Sequence, residues 1–273
     1  MYAADDLMEV RGVQMRRDPA REACFKVVHS HAEMLVGSID TPDAQREFLH
    51  RDVNNELQSL EIAAQSLIDF PDAPWALRMA LARQAADEAR HAWLCYGRMR
   101  EMGGYKGEFP VHNHEWGIVC RIGTLAARLA IQNRIFEAGS LDVFRKMVGK
   151  WRDAGDQRTA EIMEAILNDE IAHVRYANEW LQKLIAAEPR VVMDIAAAIA
   201  QTRRIADALA PRPGETSLDG VALDSVVREI TTSHEDRSLA DFSDSEILEL
   251  LRREERSLAA TPTGTATPTG AAA

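Results

Sequence analysis

Cysteine is scarce in this chain: Cys24, Cys95 and Cys120 are the only three in 273 residues, and none stands in a C-x-x-C spacing. Three thiols cannot all pair within one chain, which excludes a disulfide framework and suits free thiols in a reducing compartment. Long apolar runs are missing too, and none approaches the roughly 20 residues a membrane span needs. Basic residues are outnumbered, 32 Lys and Arg against 43 Asp and Glu, for a formal net charge of −11. That balance argues against broad binding of nucleic acid or of an anionic membrane surface, both of which need a basic face. The first residues carry Asp5, Asp6 and Glu9 rather than the basic-then-apolar pattern of an export signal. The expectation is a soluble, cytoplasmic protein built as one large domain, or as one domain with a tail.

What the chain does have is a repeated pair. Asp87-Glu88-Ala89-Arg90-His91 is echoed by Asp169-Glu170-Ile171-Ala172-His173. On a helix, a Glu and a His three residues apart share one face about one turn apart. Two such pairs need one further Glu from each of two more helices to complete a dinuclear metal cage inside a four-helix bundle. Glu56 stands 32 residues before Glu88, and Glu137 stands 33 before Glu170. The near-equal offsets predict a helix–turn–helix unit used twice.

Apolar periodicity supplies the four helices. Thr41-Pro42 is a cap followed by proline at the first helical position, and it opens a helix over about 42–69. Its stripe of Leu49, Val53, Leu57, Leu60, Ala64 and Leu67 contains Glu56. A second helix, about 74–102, carries Leu77, Leu81, Gln84, Glu88, His91 and Cys95 on one line and stops at Gly103-Gly104. The link from Tyr105 to Trp116 is long for a bundle turn and predicts a crossing between two hairpins. A third helix is expected over 117–149, with Glu137 on the line Ala126, Ala130, Arg134, Leu141 and Phe144. A fourth, about 156–187, turns Met163, Ile166, Leu167, Glu170, His173 or Val174, and Ala177 inward, and a shorter apolar helix follows near 190–209.

The organisation expected is all-α. An N-terminal extension (1–40) precedes the four-helix bundle (41–188), then come additional, partly acidic helices (189–257) and a low-complexity, disordered tail (258–273). Within the third of these, Ser243–Ser257 reads as an amphipathic helix. His29 and His31 read as surface or packing histidines. His112 and His114 lie on the link, where they can cap a pocket, and the spacing gives no reason to count either as a ligand.

Burial is what singles out the six ligand candidates, Glu56, Glu88, His91, Glu137, Glu170 and His173. A carboxylate in an apolar interior is paired or coordinates metal, because leaving it alone costs several kcal/mol. Four inward Glu side chains repel one another unless cations neutralise them, and two divalent ions do so. Mixed carboxylate and imidazole donors suit iron or manganese rather than structural zinc. Asp87 and Asp169 recur before each Glu as partners for the outer ring nitrogen of a metal-bound His. Asn133, Arg134 and Tyr176, one turn from the ligand rows, are candidate pocket residues. A third Glu-x-x-His, Glu47 to His50, serves as a control: at about 100° per residue both side chains point well away from Glu56 and are expected to face solvent.

The chain resembles the ferritin-like di-metal carboxylate superfamily and, within it, the family catalogued as domain of unknown function 455. The resemblance rests on Asn55-Glu56-Leu57-Gln58 with Glu61, Asp87-Glu88-Ala89-Arg90-His91, and Phe109-Pro110-Val111-His112 with Trp116. It continues through Ala127-Arg128-Leu129-Ala130, Phe136-Glu137-Ala138, Leu141-Asp142-Val143 and Asp169-Glu170-Ile171-Ala172-His173-Val174, covering about residues 40–185. Asn54 departs from the His expected there, which alters a contact behind the ligands and leaves Glu56 intact. The resemblance implies a ferritin-like bundle in which Glu88 and Glu170 bridge two metals, Glu56 and Glu137 are terminal, and His91 and His173 bind one metal each. It also implies a pair of iron ions, or manganese, or a mixed pair, with O2 as co-substrate.

Fold alone does not choose the reaction. The reading preferred here is a di-iron oxidase or oxygenase acting on a small organic substrate, with an external electron donor and compatible with a homodimer. The alternative is a ferroxidase or iron-binding protein without an organic substrate.

Overall fold

The computed structural model describes residues 6–35, 39–223 and 232–259. A two-stranded hairpin, β1 (Leu7–Val10) and β2 (Val13–Arg16), leads into α1 (Pro42–Asp69) and α2 (Trp75–Glu101). A short α3 (His114–Val119) and α4 (Leu125–Ile131) follow. One turn of π-helix, Gln132–Glu137, carries α4 without a break into α5 (Ala138–Asp153). The chain ends in α6 (Gln157–Ala187), α7 (Val191–Leu209), α8 (His234–Leu239) and α9 (Asp244–Ala259).

Local chemistry sets the helix limits. The Thr41 hydroxyl accepts from the Ala44 amide at 3.2 Å with Pro42 behind it, and Asp156 caps α6 through the Thr159 amide at 3.0 Å. Gly103, at φ +86°, takes the left-handed conformation that ends α2. In the hairpin, Arg11 and Gly12 both have positive φ, the two-residue turn whose twist matches the flanking strands. Strands of four residues were too short to stand out in the N-terminal extension.

Two antiparallel hairpins, α1 with α2 and α5 with α6, pack into a four-helix bundle. The expected third helix differs most from expectation. Instead of a continuous run from 117, the chain makes α3, bends at residues 120–124, and only then enters α4. Arg128 holds the bend: its buried guanidinium donates twice to the Ile122 carbonyl, at 3.1 and 2.6 Å, and pairs with Asp69 at the end of α1. Periodicity cannot register such a long-range bond.

An apolar cluster around Leu49, Met99, Leu141, Trp151 and Ile166 fills one end of the bundle, and another around Leu77, Leu81, Leu129 and Ala177 fills the other. The C-terminal segment closes the first: Ile247 of α9 and Phe242 join that core, and Arg237 of α8 pairs with buried Asp142 of α5 at 2.6 Å. From residue 260 onward the expected tail lies outside the described residues. No described helix is long and apolar enough to cross a membrane.

Glu47 and His50 correct the sequence reading: both are buried, 1% exposed each, rather than facing solvent. The far face of α1 is covered as well. The His50 ring meets Phe25 and Phe109, and its Nε2 accepts from the Gly107 amide at 2.9 Å, while Glu47 pairs with Arg51. Neither reaches the Glu56 side.

Candidate metal centre

Between the two apolar clusters every bundle helix turns a polar group inward at the same height. In α2, Glu88 and His91 fall between Leu81 of one cluster and Cys95 of the other; in α6, Glu170 and His173 fall between Leu167 and Ala177. Glu56, Glu88, His91, Glu137, Glu170 and His173 are all 5% exposed or less. Their donor atoms form two overlapping groups within 4.8 Å, Glu56–Glu88–His91–Glu170 and Glu88–Glu137–Glu170–His173. Glu88 and Glu170 belong to both, as two carboxylates shared between two cations would.

The histidines aim one nitrogen in and one out. His91 Nδ1 lies 3.0 Å from Glu88, 3.3 Å from Glu56 and 3.3 Å from Glu170. His173 Nδ1 lies 3.2 Å from Glu170 and 3.3 Å from Glu88. Their outer nitrogens cross over: His91 Nε2 meets Asp169 at 3.1 Å, and His173 Nε2 meets Asp87 at 3.4 Å. Each Asp therefore holds the histidine of the other pair, and Arg90 bridges both Asp residues. This is the usual support for a metal-bound imidazole.

Electrostatics test the fit. Burial, reinforced by neighbouring carboxylates, pushes Glu56 and Glu137 well above the usual range. Burial opposes charge on His91 and His173, yet the surrounding carboxylates outweigh it and raise both. Burial also acts upward on Glu170, but His173 and His91 overcome it and hold that carboxyl below its ordinary value. Without cations these shifts favour protons on the cluster. Divalent ions would displace them, and the donor set of carboxylates and imidazoles fits iron or manganese.

A frame of amides locks the carboxylates. Gln84 donates to Glu88 at 2.9 Å and to Glu137 at 3.0 Å, while its oxygen accepts from Asn133 at 3.0 Å and from the Tyr176 hydroxyl at 2.5 Å. Gln132 donates to Glu137 at 2.7 Å and to Glu115 at 2.8 Å. Asn133 and Tyr176 therefore sit behind the clustered carboxylates, and neither lines the cavity described below. Arg134 is elsewhere: it reaches out to Asn178 and Glu246 and lies over the Phe242 ring. The π turn explains this. It advances less per residue than an α-helix, which carries Arg134 further round the helix from Glu137 while Asn133 stays close to its line. Asn54 is buried and donates to the His112 carbonyl at 2.9 Å.

A cavity of about 410 Å³ opens against the carboxylates Glu56, Glu137 and Glu170. Phe48, Ile118 and Phe144 give it apolar wall, and Leu209 of α7 and the link residues His112, His114 and Glu115 complete it. Sequence reasoning missed Asp52 and Glu115 on its rim. Asp52 lies one turn before Glu56, a signal that was available; Glu115 sits in the first turn of the six-residue α3, too short a helix for periodicity to mark. Burial raises Asp52 to about 6 and Glu115 to about 7.

A family model described as "Protein of unknown function (DUF455)" matches residues 3–205. An uncharacterized protein of Haemophilus influenzae is 29% identical over 103 residues, which cover 37% of this chain and 36% of that one, so the match spans about a third of that relative's length. Among solved structures, one described as protein 19 with aldehyde deformylating oxidase activity from Synechococcus superposes with a TM-score of 0.47 at 21% identity, covering 79% of this chain and 98% of the other.

Proposed function

We propose that this chain, which belongs to the DUF455 family, is an O2-dependent oxidoreductase that uses a carboxylate-bridged dinuclear centre to oxidise a small organic molecule. The ligands in this reading are Glu56, Glu88, His91, Glu137, Glu170 and His173, with Glu88 and Glu170 bridging. Two ferrous ions there would supply the electrons that reduce dioxygen, and an external donor would restore them. The observation that carries the reading is the cavity of about 410 Å³ reaching three of the four cage carboxylates. A centre serving only storage or structure has no use for a chamber of substrate size, walled in part by Phe48, Ile118 and Phe144, on its open face.

The remaining residues have tasks of their own. Phe48, Ile118 and Phe144 exclude water and bind the apolar part of a substrate. Gln84 and Gln132 keep Glu88 and Glu137 from swinging as charge changes in the site. Asp52 and Glu115, raised to about 6 and about 7, titrate close to neutral pH and can exchange protons with the chamber.

Anaerobic loading with ferrous iron, followed by exposure to oxygen with panels of small apolar acids, aldehydes and amines, tests the reading. The expected result is iron bound at the centre, absent in Glu88→Ala, and oxygen uptake with product beyond the stoichiometry of iron oxidation. Uptake that stops at iron oxidation with every substrate class would instead indicate a ferroxidase.

A further inference from the structure

Three histidines that the dinuclear centre does not use meet in the wall of its cavity. His31 comes from the turn before α1, His112 from the link before α3, and His114 opens α3 itself. Ring centroids are 4.2 Å apart for His112 and His114, 5.3 Å for His31 and His112, and 5.6 Å for His31 and His114. One nitrogen from each lies within 4.8 Å of the other two.

Three of these nitrogens are orphans. Nδ1 of His31, Nδ1 of His112 and Nε2 of His114 are buried and find no hydrogen-bond partner among the described residues. A buried polar atom left unpaired costs about 1–3 kcal/mol. Three rings that each carry one, and that meet in one cluster, have the arrangement of donors to a shared ligand. Backbone carbonyls lie beside two of the rings, that of Leu209 near His31 and that of His29 near His114.

We propose that His31, His112 and His114 bind a third divalent transition-metal ion, separate from the dinuclear centre, with an open coordination position facing the cavity. Three neutral imidazoles and no carboxylate select zinc, cobalt, nickel, copper or ferrous iron over magnesium and calcium. Burial, with the neighbouring imidazoles adding to it, keeps the rings in the neutral form that ligation needs, His114 being pushed down to about 3. The two nearby cations do not forbid an ion. Arg51 is paired with Glu47 at 3.0 Å, and Arg11 with Glu215 at 3.1 Å. His112 and His114 stack within 13° of parallel. Binding at the usual distance of about 2.0–2.1 Å would turn one ring about its Cβ–Cγ bond.

Co2+ titration of the metal-stripped full-length chain tests the site, read by bound metal per chain and by the visible absorption of the ion. The wild type should bind three ions per chain, His112→Ala/His114→Ala two, and Glu88→Ala/Glu170→Ala one, that one with the intense visible bands of a tetrahedral histidine site. His31→Gln, a milder change, should weaken the third binding step at least about tenfold with the helical circular dichroism unchanged. A wild type that saturates at two ions, both kept by the double histidine variant, overturns the proposal. So does a histidine double variant that still binds three. A wild type that binds a single ion, lost in the histidine variant, would sustain this site while removing the dinuclear reading.

Discussion

His91 and His173 are each held between a carboxylate cage and an aspartate contributed by the opposite motif, and this crossing couples the two halves of the bundle at the level of single atoms. Asp169→Asn removes the carboxylate 3.1 Å from His91 Nε2. Metal affinity in a chelator competition should fall by roughly ten- to hundredfold with helix content intact; unchanged affinity would mean that Asp169 does not orient the ring. Asp87 faces the same task at His173, whose hydrogen bond, with help from Arg90, holds that carboxyl down at about 2. Glu115 behaves oppositely. Burial raises it from 4.5 to about 7, so its ionisation costs the folded metal-free protein stability as pH rises through that window, and costs nothing below it. Glu115→Gln should therefore raise Tm of the chelator-treated protein at pH 8 by about 2–4 °C, on the order of 1 kcal/mol for a domain this size. The gain should disappear toward pH 4.5, which a pair of thermal melts would check.

The π turn is the element that does most to shape the site. Gln132 and Glu137 are five residues apart, which a regular α-helix would leave well off one face, yet their side chains bond at 2.7 Å. Ile135, on the outer side of the turn, is 41% exposed, so removing it costs little apolar burial. Deleting Ile135 should let the segment relax to α-helix, keep the circular dichroism of the fold, and turn Glu137 away from Gln84 and Gln132. Bound metal per chain should drop accordingly; retention of full stoichiometry would show that the turn is not what aims Glu137.

Across the whole molecule, α8 and α9 are tied to the bundle by charge as well as by Ile247 and Phe242. Asp142 accepts from Arg237 at 2.6 Å and from the Ser233 amide at 2.7 Å. Arg237→Ala would leave a buried carboxylate without its cation, a loss of about 3–5 kcal/mol, or roughly 10 °C in Tm. Replacing both partners, Asp142→Leu with Arg237→Met, should recover most of it, because the apolar pair strands no charge. A single variant that melts with the wild type would show that the C-terminal helices are docked by their apolar contacts alone.

The helices α1, α2 and α6 and the inward positions of Glu56, Glu88, His91, Glu137, Glu170 and His173 were legible in the chain itself. Caps, prolines and a 3.6-residue apolar rhythm are local signals, and a charged residue on an apolar stripe announces itself. Other features answered only to tertiary structure. The break before α4 depends on a guanidinium reaching Asp69, His50 is buried by segments distant in sequence, and Arg134 is carried off the inner face by one turn of altered pitch. His31 meets His112 and His114 across some 80 residues. Periodicity reports which face of an element is apolar; it carries no information about which loops come to lie over that face, and there the cavity, its rim acids and the histidine cluster were decided.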